Sequence, residues 1–268
     1  MAPLLVTVGL IAVEFFYLRG WYRLRNTTTH LLSVWRLAAF SCGLLALWAV
    51  VGSPLAAMDH HLLTAHMAGH LILMTVSAPL TLLGAPVIVL LSGLAKPSGR
   101  VVSEPLLRCS PIRTFGHVVT HPLFCWFAGA GTVIAWHTPT LFELGTGSAR
   151  WHAVEYACFF AAGILFWWPV VQPWPSLATW PRWAVPLYLF LATLPCDALS
   201  AFLTFCDRVV YPHYLSVHPL FNISPLGDQE CAGALMWVWV TFVYLAPAAV
   251  VTIQMLSPQR RALNAEVV

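Results

Sequence analysis

Four histidines fall within thirteen residues of the chain, in the segment MDHHLLTAHMAGH that ends at His70. On a helix, residues four apart lie about 40° apart around the axis, so His66 and His70 would share one face. Met67 and Met74 would fall within the same arc of about 100°. Imidazole and thioether groups together suit copper, and Cu(I) in particular prefers soft sulfur ligands. The spacing therefore indicates a copper site on one helix face.

Two further histidines stand at the ends of later apolar segments. His137 lies in WHTP, and His152 lies in WHAVEY, with Glu155 three residues further on. Residues three apart share a helix face, and a carboxylate beside a ligand histidine commonly orients the imidazole. If the three segments are neighbours, their four histidines can bind one metal ion, with Glu155 in support.

The elements that must position these residues are long and apolar. Of the 268 residues, 59% are hydrophobic and 9% are charged, whereas a soluble domain has about 25% charged residues. A helix that spans a bilayer needs about 20 apolar residues. We therefore predict an all-α integral membrane protein, a single domain over 1–268 that forms a bundle of seven transmembrane helices. The seven segments are 2–18, 31–52, 63–93, 123–137, 152–171, 184–206 and 231–256.

Two of these segments depart from a simple span. The third contains Pro79 and Pro86, which predict a kink or a re-entrant tail. The fourth is short, and we expect it to start before Pro122 or to extend past His137.

Lys and Arg are unevenly distributed between the predicted loops. Eleven of the thirteen fall on one side, which leaves Arg150 and Arg208 for the other. The positive-inside rule makes the crowded side cytoplasmic, so we expect the N-terminus outside and the C-terminus inside. The net charge of +3 follows from this topology, and no basic patch with interleaved aromatic residues indicates nucleic-acid binding.

The histidines also have an ordinary structural interpretation. One histidine at a membrane boundary can serve as an interfacial polar residue or hydrogen-bond a neighbouring helix. The metal hypothesis therefore depends on His66 and His70 together in the third span. It also depends on His137 and His152 lying at a matching depth. His60 and His61 lie off the shared face and are weaker candidates, and we expect His213 and His218 to be solvated.

Asp197 is unusual because it lies well inside the predicted sixth span. An intramembrane carboxylate is costly and by default suggests function, although a neutral Asp197 hydrogen-bonded within the bundle is an equal alternative. Ser200 and Thr204 would complete a polar stripe with it. Cys206 and Cys231 flank the last predicted outer loop, where a disulfide is possible.

Five short motifs together carry a family resemblance. They are HMAGH at 66–70 followed by APLTLLGAP, WHTP at 136–139, HAVE at 152–155, YPHY at 211–214 and DQECAGALMW at 228–237. In this order, from about residue 55 to about residue 245, the chain resembles the multi-spanning CtaG family of cytochrome c oxidase assembly factors. Some members have a histidine after the glutamate, where this chain has Tyr156.

The resemblance implies a bacterial inner-membrane, multi-pass protein that matures a haem-copper oxidase by supplying or inserting copper, with Cu(I) as the expected ion. It implies oxidase subunits or another copper chaperone as partners within the lipid bilayer. The implied metal ligands are His66, His70, His137, His152 and Met236. The implied supporting residues are Glu155, Asp228, Gln229 and Trp237, with Asp228 and Gln229 just outside the seventh span. The shared helix face of His66 and His70 adds Met67 to them.

Other functions stay open at this point. A copper transporter would need polar or soft residues through the whole bundle, and only the Asp197 stripe suggests them. A membrane di-iron hydroxylase also uses HxxxH, but with more clusters, usually on the cytoplasmic side. A b-type cytochrome could ligate haem through histidines on facing helices. We expect no enzyme, since GxSxG, P-loop and HExxH motifs are all missing.

Overall fold

The computed structural model describes residues 2–25, 33–94, 116–173, 180–217 and 221–257. Every regular element in these ranges is helical, which confirms the predicted all-α class. The helices are α1 (Ala2–Leu24), α2 (Val34–Val51), α3 (Leu63–Leu83), α4 (Pro86–Leu94), α5 (Pro122–Trp136), α6 (Pro139–Gly147), α7 (Ala149–Val171), α8 (Ala184–Phe205), α9 (His213–Ser216) and α10 (Pro225–Leu256).

Six of the described helices are long and apolar enough to cross a membrane, namely α1, α2, α3, α7, α8 and α10. The fourth predicted span corresponds to α5, which is apolar but only 15 residues long. A multi-pass membrane protein is therefore supported. The count of seven spans, the orientation of the termini and the single domain stay predictions.

The third predicted span is divided into two helices. Ala85, at the junction of α3 and α4, has a φ of 50°, and Pro86 follows it as the first residue of α4. Pro79 does not end α3. This proline has no N–H to donate to the turn before it, and the preceding segment Leu73–Ser77 forms a wider π-helical turn.

Other helix boundaries differ from the predicted ones. Helix α5 starts at Pro122, which suits a first helical turn, and it ends before His137. A separate helix, α6, then starts at Pro139, so the expected extension of the fourth span is wrong. Helix α10 starts at Pro225, six residues before the predicted span, because Ser224 caps its N-terminus by accepting a hydrogen bond from the Gly227 N–H at 3.1 Å.

Helix α3 lies at the centre of the bundle, where it packs against α2, α7 and α10. Gly163 of α7 lies against the π-helical turn so closely that a Cβ there would be 2.8 Å from the carbonyl oxygen of Met74. Trp167 donates to that same oxygen at 3.0 Å. Trp239 of α10 donates to the hydroxyl of Thr75 at 2.8 Å. These contacts fix the depth of α3 relative to its neighbours, and with it the depth of its histidines.

Candidate metal centre

Two histidines of α3 and one glutamate of α7 form a buried cluster, which we name the inner group (His66, His70 and Glu155). The Nε2 atom of His66 lies 3.3 Å from Oε1 of Glu155, and the Nε2 atom of His70 lies 3.2 Å from the same oxygen. The potential ligand atoms of the three residues all lie within 4.8 Å of one another. The four-residue spacing on α3 thus places both imidazoles against one carboxylate of the facing helix.

Glu155 is completely buried, and its ion-pair partners in the described residues are histidines. Its Oε2 atom has no hydrogen-bond partner there, and neither has either ring nitrogen of His70. The 3.2 Å approach of His70 is therefore a close contact without good hydrogen-bond geometry. A buried carboxylate is costly unless a positive charge compensates it. A metal ion between the three side chains would supply that charge and engage the free lone pairs.

His137 lies close to the inner group but faces sulfur. Its Nδ1 atom lies 2.7 Å from the carbonyl oxygen of Val133. Because that oxygen can only accept, Nδ1 is the protonated nitrogen, which leaves a lone pair on Nε2 of a neutral ring. This Nε2 atom lies 3.2 Å from Sδ of Met67. Two lone-pair donors thus face each other, an arrangement that a soft cation would relieve.

A small cavity of about 20 Å³ adjoins the inner group, between α3, α5, α7, α8 and α10. We name it the sulfur-lined cavity after its donor side chains. They are Met67, Met74, Met236, Cys196, His70 and His137. The volume suffices for a single water-sized occupant.

Residues 15–257 match the family model described as cytochrome c oxidase caa3 assembly factor (Caa3_CtaG). The chain belongs to this family. The match confirms the resemblance that the five motifs indicate. The family's description links its members to the assembly of a cytochrome c oxidase.

Among curated proteins, the uncharacterized proteins Mb0105 of Mycobacterium bovis and MT0111 of Mycobacterium tuberculosis are each 29% identical to the chain over 215 residues. These alignments cover 76% of this chain and 31% of each relative. The uncharacterized protein ML1998 of Mycobacterium leprae is 26% identical over 241 residues, which cover 87% of this chain and 36% of the relative. The chain thus spans about a third of the length of these relatives. No solved structure matches it.

In this Caa3_CtaG protein, the predicted ligands do not all converge on one point. His152 lies in a second group with Asp59 and His60, and its Nε2 atom lies 3.3 Å from Oδ2 of Asp59. Met236 reaches the sulfur-lined cavity from α10. Glu155, predicted as a support for the ligand histidines, instead contacts two of them directly.

The acidic and amide residues of the last motif make structural contacts. Asp228 caps the N-terminus of α3, where it accepts hydrogen bonds from the backbone N–H groups of Leu63 at 2.6 Å and Thr64 at 3.1 Å. Gln229 accepts from the N–H of Val210 at 2.7 Å. Both residues lie in the first two turns of α10, which begins earlier than the predicted span, and their position just outside the membrane stays a prediction.

Asp197 belongs to neither histidine–carboxylate group of the described residues, although its Oδ1 atom lacks a hydrogen-bond partner there. Cys206 and Cys231 are free thiols. His213 is half-buried and its Nε2 atom lies 3.3 Å from the carbonyl oxygen of His60, so it is not simply a solvated residue. His218 lies outside the described residues.

The sequence analysis did not identify Asp59, which directly precedes His60, one of the weaker candidates for a metal ligand. Asp59 is 3% exposed, and its Oδ2 atom accepts a hydrogen bond from Tyr156 at 2.5 Å. Tyr214 donates to the backbone carbonyl of Asp59 at 2.9 Å, and burial raises the pKa of this tyrosine well above its ordinary value. The available signal was the acidic residue beside two histidines in DHH at 59–61.

Proposed function

We propose that this protein is an assembly factor that holds copper in the inner group and passes it to a subunit of a haem-copper cytochrome c oxidase. Family membership supports the link to oxidase assembly. The observation that carries the copper proposal is the convergence of two imidazole nitrogens on one buried carboxylate oxygen, at 3.3 and 3.2 Å. Tetrahedral ligands at about 2.1 Å from a metal lie about 3.4 Å apart, so small adjustments would accommodate an ion.

The sulfur-lined cavity supports copper over other metals. Imidazole alone also suits zinc and iron, but thioether and thiol groups favour Cu(I). Three methionines and one cysteine line the space beside His70 and His137. Copper is the cargo in this proposal, and a site with exchangeable soft ligands can release it to a partner.

The loops around the inner group suit a transfer role at one end of the bundle. Asp59 precedes α3, His137 precedes α6, and Tyr211 follows α8. The three loops meet, because the hydroxyl of Tyr211 donates to the carbonyl oxygen of His137 at 3.1 Å, and Tyr214 bonds Asp59. The predicted topology assigns all of them to the outer side of a bacterial inner membrane. An oxidase subunit or another copper chaperone could dock there.

A haem-binding function fits the geometry less well. The cavity beside His70 and His137 has about 20 Å³, which is far below the several hundred cubic ångströms of a typical cofactor pocket. His70 also stacks on Phe159, with ring centroids 3.8 Å apart. An absorption spectrum of the purified protein tests this alternative, since a bound b-type haem would give a Soret band.

Metal content tests the copper proposal directly. The protein is purified in detergent, loaded with Cu(I) without oxygen, desalted and analysed beside the His66→Ala/His70→Ala variant. His61→Ala is the matched control, because His61 is exposed and belongs to neither histidine–carboxylate group. We expect about one copper per chain in the parent and control, and little in the double variant. Equal copper in all three proteins would overturn the proposal.

The same variants test the link to the oxidase in cells. The double variant should remain in the membrane while the activity of the client oxidase is lost. His61→Ala should support normal oxidase activity. Normal activity in the double variant would separate oxidase maturation from the inner group.

A further inference from the structure

A second histidine–carboxylate cluster lies beside the first, and we name it the outer group (Asp59, His60 and His152). The Nε2 atom of His152 lies 3.3 Å from Oδ2 of Asp59. The Nε2 atom of His60 lies 3.7 Å from Oδ1 of the same carboxylate. The potential ligand atoms of the three residues lie within 4.8 Å of one another. Two imidazoles and a carboxylate thus converge a second time, on different side chains.

The outer group contains buried polar atoms without partners. Oδ1 of Asp59 and Nε2 of His152 make no hydrogen bond in the described part of the chain. The 3.3 Å separation of His152 from Asp59 is therefore another contact without hydrogen-bond geometry. Such buried atoms are rare in native proteins and commonly mark a missing water or ion.

Tyrosines hold this carboxylate in position. Tyr156 donates to Oδ2 of Asp59 at 2.5 Å, and Tyr214 donates to its backbone oxygen at 2.9 Å. Oriented ligands of this kind are usual around metal ions, because the surrounding hydrogen bonds fix the ligand geometry. Tyr156 also brings its ring within 4.3 Å of the ring of His152, measured between centroids.

The outer group is open to a cleft, whereas the inner group is buried. The cleft has a volume of about 400 Å³, and Asp59, His60, His152 and Tyr156 contribute to its wall. The side chain of His60 is 47% exposed. An ion in the cleft could therefore reach the outer group without any rearrangement of the helices.

We propose that the outer group is a separate site for a divalent first-row transition-metal ion, which enters from the cleft. Two neutral imidazoles and one carboxylate suit ions such as Zn²⁺, Co²⁺ and Cu²⁺, and no sulfur atom belongs to the group. The donor set thus differs from the sulfur-rich surroundings of the inner group. The inference goes beyond the proposed function, since it requires neither copper in the inner group nor an oxidase client.

Titration with Co²⁺ tests the site, because the visible bands of this ion report its ligands and it needs no reductant. The purified protein is titrated beside four variants: His60→Ala, Asp59→Asn, His61→Ala and His66→Ala/His70→Ala. His60→Ala removes an exposed side chain, and Asp59→Asn keeps the volume of the buried one. His61→Ala is the control, because His61 is adjacent and exposed but outside the group. Thermal melting of each variant confirms folding.

We expect His60→Ala and Asp59→Asn each to weaken Co²⁺ binding by at least about tenfold, and His61→Ala to bind like the parent. Parent-like binding by both His60→Ala and Asp59→Asn would overturn the outer site. So would a loss of Co²⁺ binding that occurs only in His66→Ala/His70→Ala, which would leave the inner group as the sole site. Conversely, loss in His60→Ala together with failed Cu(I) loading of the parent would support the outer site and overturn the proposed function.

Discussion

The rings of His66 and His152 stack nearly parallel, with centroids 5.5 Å apart and planes 22° apart. His66 belongs to the inner group and His152 to the outer group, so this pair joins the two clusters. Each cluster has its own carboxylate. The histidines of this end of the bundle therefore form two neighbouring sets, rather than the single set that the sequence indicates.

Gly145 of α6 controls the space available to Glu155. A Cβ at this position would lie 2.5 Å from Oε2 of the carboxylate. We predict that Gly145→Ala displaces the carboxylate and weakens Cu(I) binding by about 10- to 100-fold, as is usual when a residue that orients a metal ligand is changed. Competition with a Cu(I) chelator measures the effect.

Gly147→Ala, in the same helix, is the matched control for this prediction. A Cβ there meets nothing within 4 Å, so this variant should bind Cu(I) like the parent. If Gly145→Ala also binds like the parent, then the position of Glu155 does not determine copper affinity.

Asp228 stabilises the start of α3 through its carboxylate. It accepts from two backbone N–H groups and, at 2.6 Å, from the hydroxyl of Thr64. A negative charge at a helix N-terminus and a capping acceptor each contribute about 1 kcal/mol. We predict that Asp228→Asn lowers the free energy of unfolding by about 1–2 kcal/mol, which a melting curve in detergent would detect. Glu230→Gln, an exposed carboxylate two residues on, should melt like the parent, and equal melting of both variants would contradict the cap.

The sequence predicts the helices and the shared face of His66 and His70 because these depend on local periodicity. It cannot predict the role of Asp228, because this residue caps a helix that starts 165 positions earlier. Asp59 is hidden for the same reason, since it lies in a turn before α3 and meets Tyr156 across 97 positions. Such contacts depend on how α3, α7 and α10 pack, and periodicity within one helix does not contain that information.

Close packing at Gly163 holds α7 against the π-helical turn of α3. A Cβ there would lie 2.8 Å from the carbonyl oxygen of Met74 and 2.9 Å from the Cβ of Ala78. Since backbone atoms cannot rotate away, we predict that Gly163→Ala destabilises the protein by about 1–3 kcal/mol. Gly131→Ala, at a helix position of α5 where a Cβ meets nothing within 4 Å, should leave the melting temperature unchanged or raise it. A melting temperature of Gly163→Ala equal to that of the parent would show that the two helices separate easily.

The thioether of Met236 distinguishes a soft-metal cavity from ordinary core packing. Met236 is 4% exposed and lines the cavity together with His70 and His137. Leucine has nearly the same volume but no sulfur, so Met236→Leu should cost little stability. We predict that it weakens Cu(I) binding by about tenfold while Co²⁺ binding at the outer group stays unchanged, because only the soft ion depends on sulfur.

Chelator competition for Cu(I) and optical titration with Co²⁺, carried out on the same preparations, measure both effects. Met255→Leu, at the exposed end of α10, is the matched control and should bind both ions like the parent. Unchanged Cu(I) affinity in Met236→Leu would mean that this thioether only fills space. Weaker binding of both ions would instead indicate a general disturbance of the bundle, and would remove the argument for a sulfur ligand.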